Sequence, residues 1–334
     1  METKKVKNGR IDSIDIFRGI GIIIMVMGHI GFGSIFDHLI HAFHMPMFYF
    51  ISGMFFKAEN VDGTRVIDFV KKKVYTLIIP YLFFGILLYL IWLKWNWANE
   101  VDLYVPLMHF LGRNTWGGVQ ISSALWFLTS LFFTEIIYFI MFKIIKNTTI
   151  FHTVIVVLSI AGNLEMKILP DQLPWALGPA LVGLGFFDIA HVLFSKNNTL
   201  IAGRLWDIPT KALIVFSFII MGGIFLNGDV NMRLSVYAHI PLFWINGICS
   251  IVIGINFSKK LDLKLSIFVK NILTYIGRNS IIFLCMNQLI IAYIYKLIPY
   301  TAFNRFVGMV ISLGILGVCC FIINKSFLRR IIGR

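Results

Sequence analysis

Charged side chains are scarce in this sequence, and acidic ones are scarcer than basic ones. Only 14% of the 334 residues are Asp, Glu, Lys or Arg, whereas 58% are hydrophobic. Soluble domains carry roughly 25% charged and 45–50% apolar residues, so this composition excludes an ordinary soluble domain. It indicates an integral membrane protein.

Cysteines and the motifs of soluble enzymes are also scarce or missing. All four cysteines fall in apolar segments, and we expect them to be packing residues, because disulfides belong to oxidised, exposed regions. The sequence has no Gly-Lys-Ser/Thr phosphate loop, no dinucleotide glycine fingerprint and no Gly-x-Ser-x-Gly nucleophile elbow. Soluble nucleotide-binding and hydrolase sites are therefore not predicted, and any chemistry is expected within the membrane.

What is present is mostly a series of long apolar segments, each near the roughly 20 residues that cross a bilayer. We predict ten transmembrane helices at 14–32, 38–56, 74–93, 122–142, 149–164, 175–194, 212–227, 236–257, 272–295 and 305–324. No small-residue cleavage site follows the first segment, so we interpret it as a retained span rather than a signal peptide. The prediction is an all-α polytopic membrane protein with one transmembrane domain, 14–324, between a tail at 1–13 and a basic tail at 325–334.

The net charge of +14 is distributed very unevenly over the loops of this topology. With the N-terminus inside, 22 Lys and Arg residues fall in inside loops and tails and 6 in outside loops, while Arg18 and Arg278 lie just within spans. Cytoplasmic loops are enriched in Lys and Arg, so we expect both termini in the cytoplasm. The basic charge then reflects orientation and contact with anionic lipids, and no nucleic-acid partner is predicted.

Two ionisable side chains stand out in the first span. Arg18 and His29 are eleven residues apart, which is about three helical turns, so they share one helix face and lie roughly 16 Å apart along the axis. Ionisable groups in hydrocarbon are costly and usually mark a working site. Arg18 could instead extend to the lipid headgroups with Asp12 or Asp15 as partner, and His29 could be a hydrogen-bonded core residue.

The next segment adds His38, His41 and His44. A metal site at His38 and His41 is conceivable, but only Asp37 lies near enough in sequence to extend it, so no metal is expected. His44 begins the second span near the expected depth of His29, and histidine is the side chain best suited to exchange a proton near neutral pH. The run Lys71–Lys73 precedes the third span and is either ordinary inside charge or a phosphate-binding group.

These residues resemble the acyltransferase 3 family of integral membrane acyltransferases, especially its sugar O-acetylase branch. The resemblance rests first on Asp15-Ile-Phe-Arg18-Gly19 with Gly28-His29, an arginine and a histidine separated by ten residues. It continues in Phe43-His44-Met-Pro46-Met-Phe48 and Ile51-Ser52-Gly53. Weaker motifs are Leu77-Ile-Ile-Pro80-Tyr81, Leu125-Trp126-Phe127-Leu128 and Tyr275-Ile-Gly277-Arg-Asn279-Ser280. Together they span 10–325.

The resemblance implies a ten-helix domain in a bacterial inner membrane that moves an acyl group, usually acetyl, from cytoplasmic acetyl-CoA to a glycan hydroxyl. Arg18 and His29 match the residues held essential in the family. We therefore expect His29, Arg18 and His44 as catalytic residues, and Arg18, Lys71, Lys72 and Lys73 around the CoA phosphates. His29 could act as a general base or carry the acyl group itself. The expected acceptor is a surface glycan or lipid-linked sugar, with separate glycan-assembly proteins as further partners.

The sequence departs from the family pattern in two places. The family often carries an arginine pair where this chain has Lys71–Lys73, and many members have a histidine where it has Asn287. Two other functions stay open at this point: a polytopic transporter with a His and Asp proton relay, and a non-catalytic membrane partner of glycan export. A transporter is expected to show inverted repeats or paired broken helices, and none is evident in the sequence.

Overall fold

The computed structural model describes residues 12–97, 102–115, 122–194, 205 and 207–332. The helices are α1 (Asp12–Ile30), α2 (Ser34–His41), α3 (His44–Met54), α4 (Val66–Lys73), α5 (Ile79–Asn96), α6 (Val105–Leu111), α7 (Trp126–Ile144), α8 (Thr148–Ile168), α9 (Leu177–Phe194), α10 (Thr210–Asn227), α11 (Ile240–Lys264), α12 (Ile267–Arg278), α13 (Ser280–Leu297) and α14 (Ala302–Lys325). A hairpin of two short strands, β1 (Val230–Asn231) and β2 (Val236–Tyr237), connects α10 and α11.

Nine helices in the described ranges are long and apolar enough to cross a membrane. They confirm the prediction of an all-α polytopic membrane protein, and each corresponds to one of the predicted segments. The second segment, 38–56, has no single counterpart among them. Most of the predicted tails, residues 1–11 and 333–334, lies outside the described residues, so the proposed domain limits stay a prediction.

The second predicted segment is broken into α2 and α3. The break lies at Ala42 and Phe43, where Phe43 has the non-helical angles φ −143° and ψ −20°. Pro46 explains its position, because proline has no N–H to donate to the carbonyl four residues earlier and its ring clashes with that carbonyl. The interruption leaves α3 with 11 residues and places His44 at its first position.

The third predicted segment is longer than expected. α4 continues through a π-helical turn, Val74–Ile78, directly into α5, so that one helix of 31 residues runs from Val66 to Asn96. Pro80 stands at the start of α5, and a π turn is a common way to absorb such a local mismatch in hydrogen bonding. Lys71–Lys73 therefore lie inside a continuous helix rather than in a loop before it.

α1 lies in the interior of the bundle and packs against α11, α12 and α13. Gly19 makes this possible, because a Cβ at that position would collide with the backbone carbonyl of Leu273 in α12. α3 packs on α9 in the same way, since a Cβ on Gly53 would meet the backbone of Phe187. Small residues at such crossings allow helices in membranes to approach closely.

The two ends of the bundle differ in the side chains that they carry. We call the end at which α1 begins the basic end, since Lys57, Lys72 and Lys143 lie there. The opposite end, at which α1 finishes with His29 and which also carries α2, is called the histidine end. At the basic end Arg278 of α12 binds α1, with its Nε 2.8 Å from the Asp15 carboxylate.

Candidate functional site

A cavity of about 570 Å³ opens at the basic end of the bundle. Arg18 of α1, Ser52 of α3, Lys72 and Lys73 of α4 and Glu135 of α7 contribute to its lining. Four elements that are distant in sequence therefore converge here. The structure brings together Arg18 and two of the three predicted lysines, while Lys71 is exposed and does not line this cavity.

Arg18 has both an acidic and an aromatic neighbour. Its Nη1 lies 3.7 Å from Oδ1 of Asp15, and its guanidinium lies 5.3 Å from the centroid of the Phe55 ring. Asp15 is held more closely by Arg278, at 2.8 Å, so this carboxylate serves two arginines at once. The predicted contact between Arg18 and Asp15 therefore exists, and Arg18 also lines the cavity.

The lysines of α4 have different surroundings. Nζ of Lys73 lies 2.7 Å from Oε2 of Glu135, and both side chains are largely buried. Lys72 is exposed and also lines the cavity. Glu135, a single acidic residue in an otherwise apolar helix, thus serves to hold Lys73. Of the three lysines, Lys72 is the one that is both exposed and in the lining of the cavity, so it is the most available to an anion that enters the cavity.

A second cavity of about 850 Å³ adjoins the first, and Phe55, Phe56 and Lys57 line both. On its other side His152 and Asp188 form a pair, with Nδ1 of His152 2.8 Å from Oδ2 of Asp188. The aromatic rings and the cations together suit a molecule that combines a planar ring with phosphates. Each of the two cavities has a volume within the roughly 300–1,000 Å³ that is usual for ligand pockets.

The cavity at the histidine end is much smaller, about 150 Å³. His29, His41, His44, Trp126 and Arg233 are among the residues that line it. The predicted proximity of His29 and His44 is thus found in the structure, across the break between α2 and α3. Protein atoms surround His29, but its side chain still has exposed surface, because it lines this cavity.

Asn287 of α13 orients His29. Nδ1 of His29 lies 2.5 Å from the side-chain oxygen of Asn287, while Nδ2 of Asn287 donates to the carbonyls of Phe283 and Leu284 at 3.0 and 2.7 Å. Because both amide hydrogens are used by those carbonyls, the oxygen must face His29, and the hydrogen-bond network assigns the proton of the neutral ring to Nδ1. Nε2 of His29 is then the nitrogen that can accept a proton.

His41 and His44 are fixed by their own backbones. Nδ1 of His44 donates to the carbonyl of Ile40 at 2.7 Å, and Nδ1 of His41 donates to the carbonyl of Asp37 at 2.6 Å. The two rings meet edge to face, with centroids 5.2 Å apart. In the neutral rings each Nε2 is therefore an acceptor, which leaves three imidazoles around one small cavity.

α1 and α3 pack directly against each other between the two cavities. A Cβ on Gly21 would collide with the Met47 side chain, and Phe48 lies next to it. Met47 is fully buried, and Met25 lies beyond this contact at the histidine-end cavity. A chain that reaches from one cavity to the other must part flexible apolar side chains, chiefly methionine.

A family model described as an acyltransferase domain, that of the acyltransferase 3 family, matches residues 11–325. The chain belongs to the acyltransferase 3 family. It is therefore a multi-pass membrane acyltransferase. No curated protein and no solved structure matches the chain.

In this acyltransferase 3 protein, the residues that carry the family resemblance line one cavity at each end of the bundle. Arg18 and Ser52 line the cavity of about 570 Å³ at the basic end, and His29 and His44 line the cavity of about 150 Å³ at the histidine end. Trp126, from one of the weaker motifs, lines the smaller cavity as well. Their roles as site residues stay predictions, and within the described residues no group of three or more His, Cys, Asp or Glu side chains is arranged to hold a metal.

Arg233 lines the histidine-end cavity, although none of the sequence motifs includes it. It lies in the turn of the short hairpin between α10 and α11, outside every motif quoted above. The sequence carried one signal, because Arg233 is one of the six Lys and Arg residues that the predicted topology places in outside loops. Because Lys and Arg are enriched on the inside of this topology, a cation on the outside is unusual and is a candidate for a specific role.

Proposed function

We propose that this protein transfers an acyl group, normally acetyl, from acyl-CoA to a hydroxyl of a surface or lipid-linked glycan, as members of the sugar O-acetylase branch do. The basic end faces the cytoplasm of a bacterial cell, in accordance with the bias of Lys and Arg, and both termini lie on that side. The acceptor approaches from the histidine end.

The observation that carries this proposal is the difference between the cavities at the two ends of one helix. Arg18 and His29 lie on the same face of α1, roughly 16 Å apart along the axis. The cavities of about 570 and 850 Å³ are at the Arg18 end, and the one of about 150 Å³ is at the His29 end. An acyl-CoA has the same asymmetry, with a bulky anionic nucleotide, a narrow pantetheine arm and a small reactive thioester.

The charges support the same orientation. Arg18, Lys72 and Lys57 are suited to bind the CoA phosphates, since Lys and Arg are the usual partners of phosphate oxygens. Phe55 and Phe56 are suited to pack against adenine where the two larger cavities meet. The pantetheine arm then passes between α1 and α3, displacing Met47, and brings the thioester to His29.

His29 acts as the general base in this proposal. Asn287 holds the proton on Nδ1, so Nε2 can take the proton of the acceptor hydroxyl while its oxygen attacks the thioester carbonyl. His44 offers a second polar contact to the acceptor. Direct transfer needs no acylated intermediate, because donor and acceptor reach one small cavity from opposite ends.

The test is acyl transfer in membranes from cells that express the protein together with their own glycans. Isotopically labelled acetyl-CoA is added, and label in the glycan fraction is measured. His29→Ala should abolish transfer at unchanged protein level and membrane insertion. His38→Ala is the matched control, since His38 lies at the same end but bonds to the carbonyl of Ile224. Equal labelling by the His29→Ala protein and the wild type rules out the assignment.

A further inference from the structure

The hairpin between α10 and α11 holds Arg233 in a fixed position. Asn231 caps the turn by accepting from the N–H of Leu234 at 3.2 Å. Ser235 donates to the Glu165 carboxylate of α8 at 2.5 Å, and the carbonyl of Arg233 itself accepts from Gln172 at 2.8 Å. These three hydrogen bonds fix the backbone of the turn that carries Arg233. Functional side chains that must be placed accurately usually have such support.

The guanidinium of Arg233 has no carboxylate or ring partner among the described residues. Three other cations at the histidine end do have such partners. Arg113 pairs with Asp171 at 3.3 Å, Lys296 lies 3.7 Å from the centroid of Trp95, and Arg305 stacks on a tyrosine ring.

Arg233 is also partly withdrawn from solvent. Burial lowers the pKa of its guanidinium, which nevertheless stays charged at physiological pH. A partly buried cation without a counter-ion is unfavourable in the resting protein, and a negative charge that forms beside it during a reaction removes this cost.

The size of the histidine-end cavity limits what that negative charge can be. At about 150 Å³ it is well below the roughly 300 Å³ at which pockets for whole small molecules begin. It has room for an acyl carbonyl and the attacking hydroxyl, which are the groups that react in the proposed transfer. Arg233 and His29 share this space and interact electrostatically across it.

The proposed transfer creates a negative charge in that space. The acceptor O–H gives its proton to Nε2 of His29, the oxygen bonds to the thioester carbonyl carbon, and the carbonyl π electrons move onto its oxygen. When the tetrahedral intermediate collapses, the C–S bond breaks and the CoA thiolate takes the proton back from His29. Between these steps an imidazolium and a guanidinium share one small cavity, and they repel each other unless an oxyanion lies between them.

We propose that Arg233 is a catalytic residue that stabilises the oxyanion of the tetrahedral intermediate. This role rests on the proposed function. Donors fixed beforehand, where charge develops, usually contribute most to such catalysis, and the loss of one typically lowers kcat by about 100- to 1000-fold. The guanidinium gains its partner only in the transition state, so its effect falls on kcat rather than on the binding of the donor.

The experiment measures initial rates of label transfer from isotopically labelled acetyl-CoA to membrane glycans over a range of donor concentrations. Arg233→Gln should lower kcat by roughly 100- to 1000-fold with KM for acetyl-CoA unchanged. Arg233→Lys should retain an intermediate rate, because it keeps the charge without the planar fork. Arg113→Gln is the matched control and should match the wild type, since Arg113 is an exposed cation at the same end.

A structural role for Arg233 predicts different results. It predicts a lower membrane level and thermal midpoint in both Arg233 variants, whereas the catalytic role predicts that guanidinium ions added at millimolar concentration partly restore the rate of Arg233→Ala. The role of Arg233 is overturned if Arg233→Gln has a wild-type kcat or changes only KM for acetyl-CoA. This conclusion requires that, in the same assay, the wild type is active and His29→Ala is not. A wild-type protein that transfers no label overturns the proposed function, and this inference with it.

Discussion

Replacing Asn287 by leucine tests whether His29 needs a fixed tautomer. Asn287 is fully buried, and its oxygen lies 2.5 Å from Nδ1 of His29. Leucine has a similar size and no acceptor, so the change removes the hydrogen bond with little change in packing volume. The imidazole then loses the contact that keeps Nε2 free of a proton and fixes the plane of the ring.

The expected loss follows from what this bond does during the reaction. Leaving a buried hydrogen-bond donor without its acceptor costs about 1–3 kcal/mol. A hydrogen bond from a charged donor is roughly twice as strong as one between neutral groups. The bond therefore strengthens when His29 becomes an imidazolium, and we expect the transition state to lose about 1.5–3 kcal/mol. At 1.36 kcal/mol for each factor of ten, kcat falls roughly 10- to 150-fold, with KM for acetyl-CoA unchanged.

The assay is the transfer of labelled acetyl groups to membrane glycans, normalised to the amount of protein in the membrane. Asn287→Asp keeps an oxygen facing His29 and should retain most of the rate. Asn246→Leu is the control for the loss of a buried asparagine, because Asn246 is buried in α11 but does not line the histidine-end cavity. A wild-type kcat in Asn287→Leu refutes the reasoning, as does an equal loss in Asn287→Asp.

Three further predictions concern donor binding and packing. Arg18→Ala should raise KM for acetyl-CoA roughly 10- to 150-fold with a smaller effect on kcat, because one charged contact worth about 1.5–3 kcal/mol is lost. Rates over a range of donor concentrations measure this. Glu135→Gln should lower KM for the donor and also the thermal midpoint, since it frees Lys73 for phosphate but removes the partner of a largely buried cation. Gly53→Ala should destabilise the protein by about 1–3 kcal/mol, because the added methyl group collides with the backbone of α9.

Each of these predictions has an outcome that contradicts it. An unchanged KM in Arg18→Ala removes its role as a phosphate anchor. A weaker affinity for the donor in Glu135→Gln shows that the carboxylate, rather than the lysine, supports binding. For Gly53, the matched control is Gly314→Ala in α14, where a Cβ meets open space; equal thermal midpoints for the two variants contradict the close crossing of α3 and α9.

Hydropathy predicted nearly all of the membrane-spanning architecture, because helices in a bilayer must satisfy their backbone hydrogen bonds internally and so appear as long apolar runs. It missed the break between α2 and α3, since the second segment is apolar on both sides of Phe43. Pro46 was the available signal, because proline disrupts the helical hydrogen bond to the carbonyl four residues earlier. The break matters, because it turns His44 toward the cavity that also contains His29.

The alignment of Arg18 and His29 on one helix face follows from helical geometry alone, so the sequence could predict it. The partners of these residues depend on tertiary packing between helices that are far apart in sequence. Lys73 had no visible link to Glu135, and Asn287 stood out only as a departure from a family pattern. Arg233 lay in an ordinary polar turn, and only the folded hairpin places it beside His29.

The most direct test of the central claim is the structure of the cell's glycans. Surface and lipid-linked glycans are isolated from cells that contain the wild-type gene, lack it, or carry His29→Ala, and each is analysed by mass spectrometry and NMR. The proposal predicts an O-acyl group at a defined hydroxyl in the wild-type glycan, absent from the other two. The same O-acyl group in all three samples contradicts it.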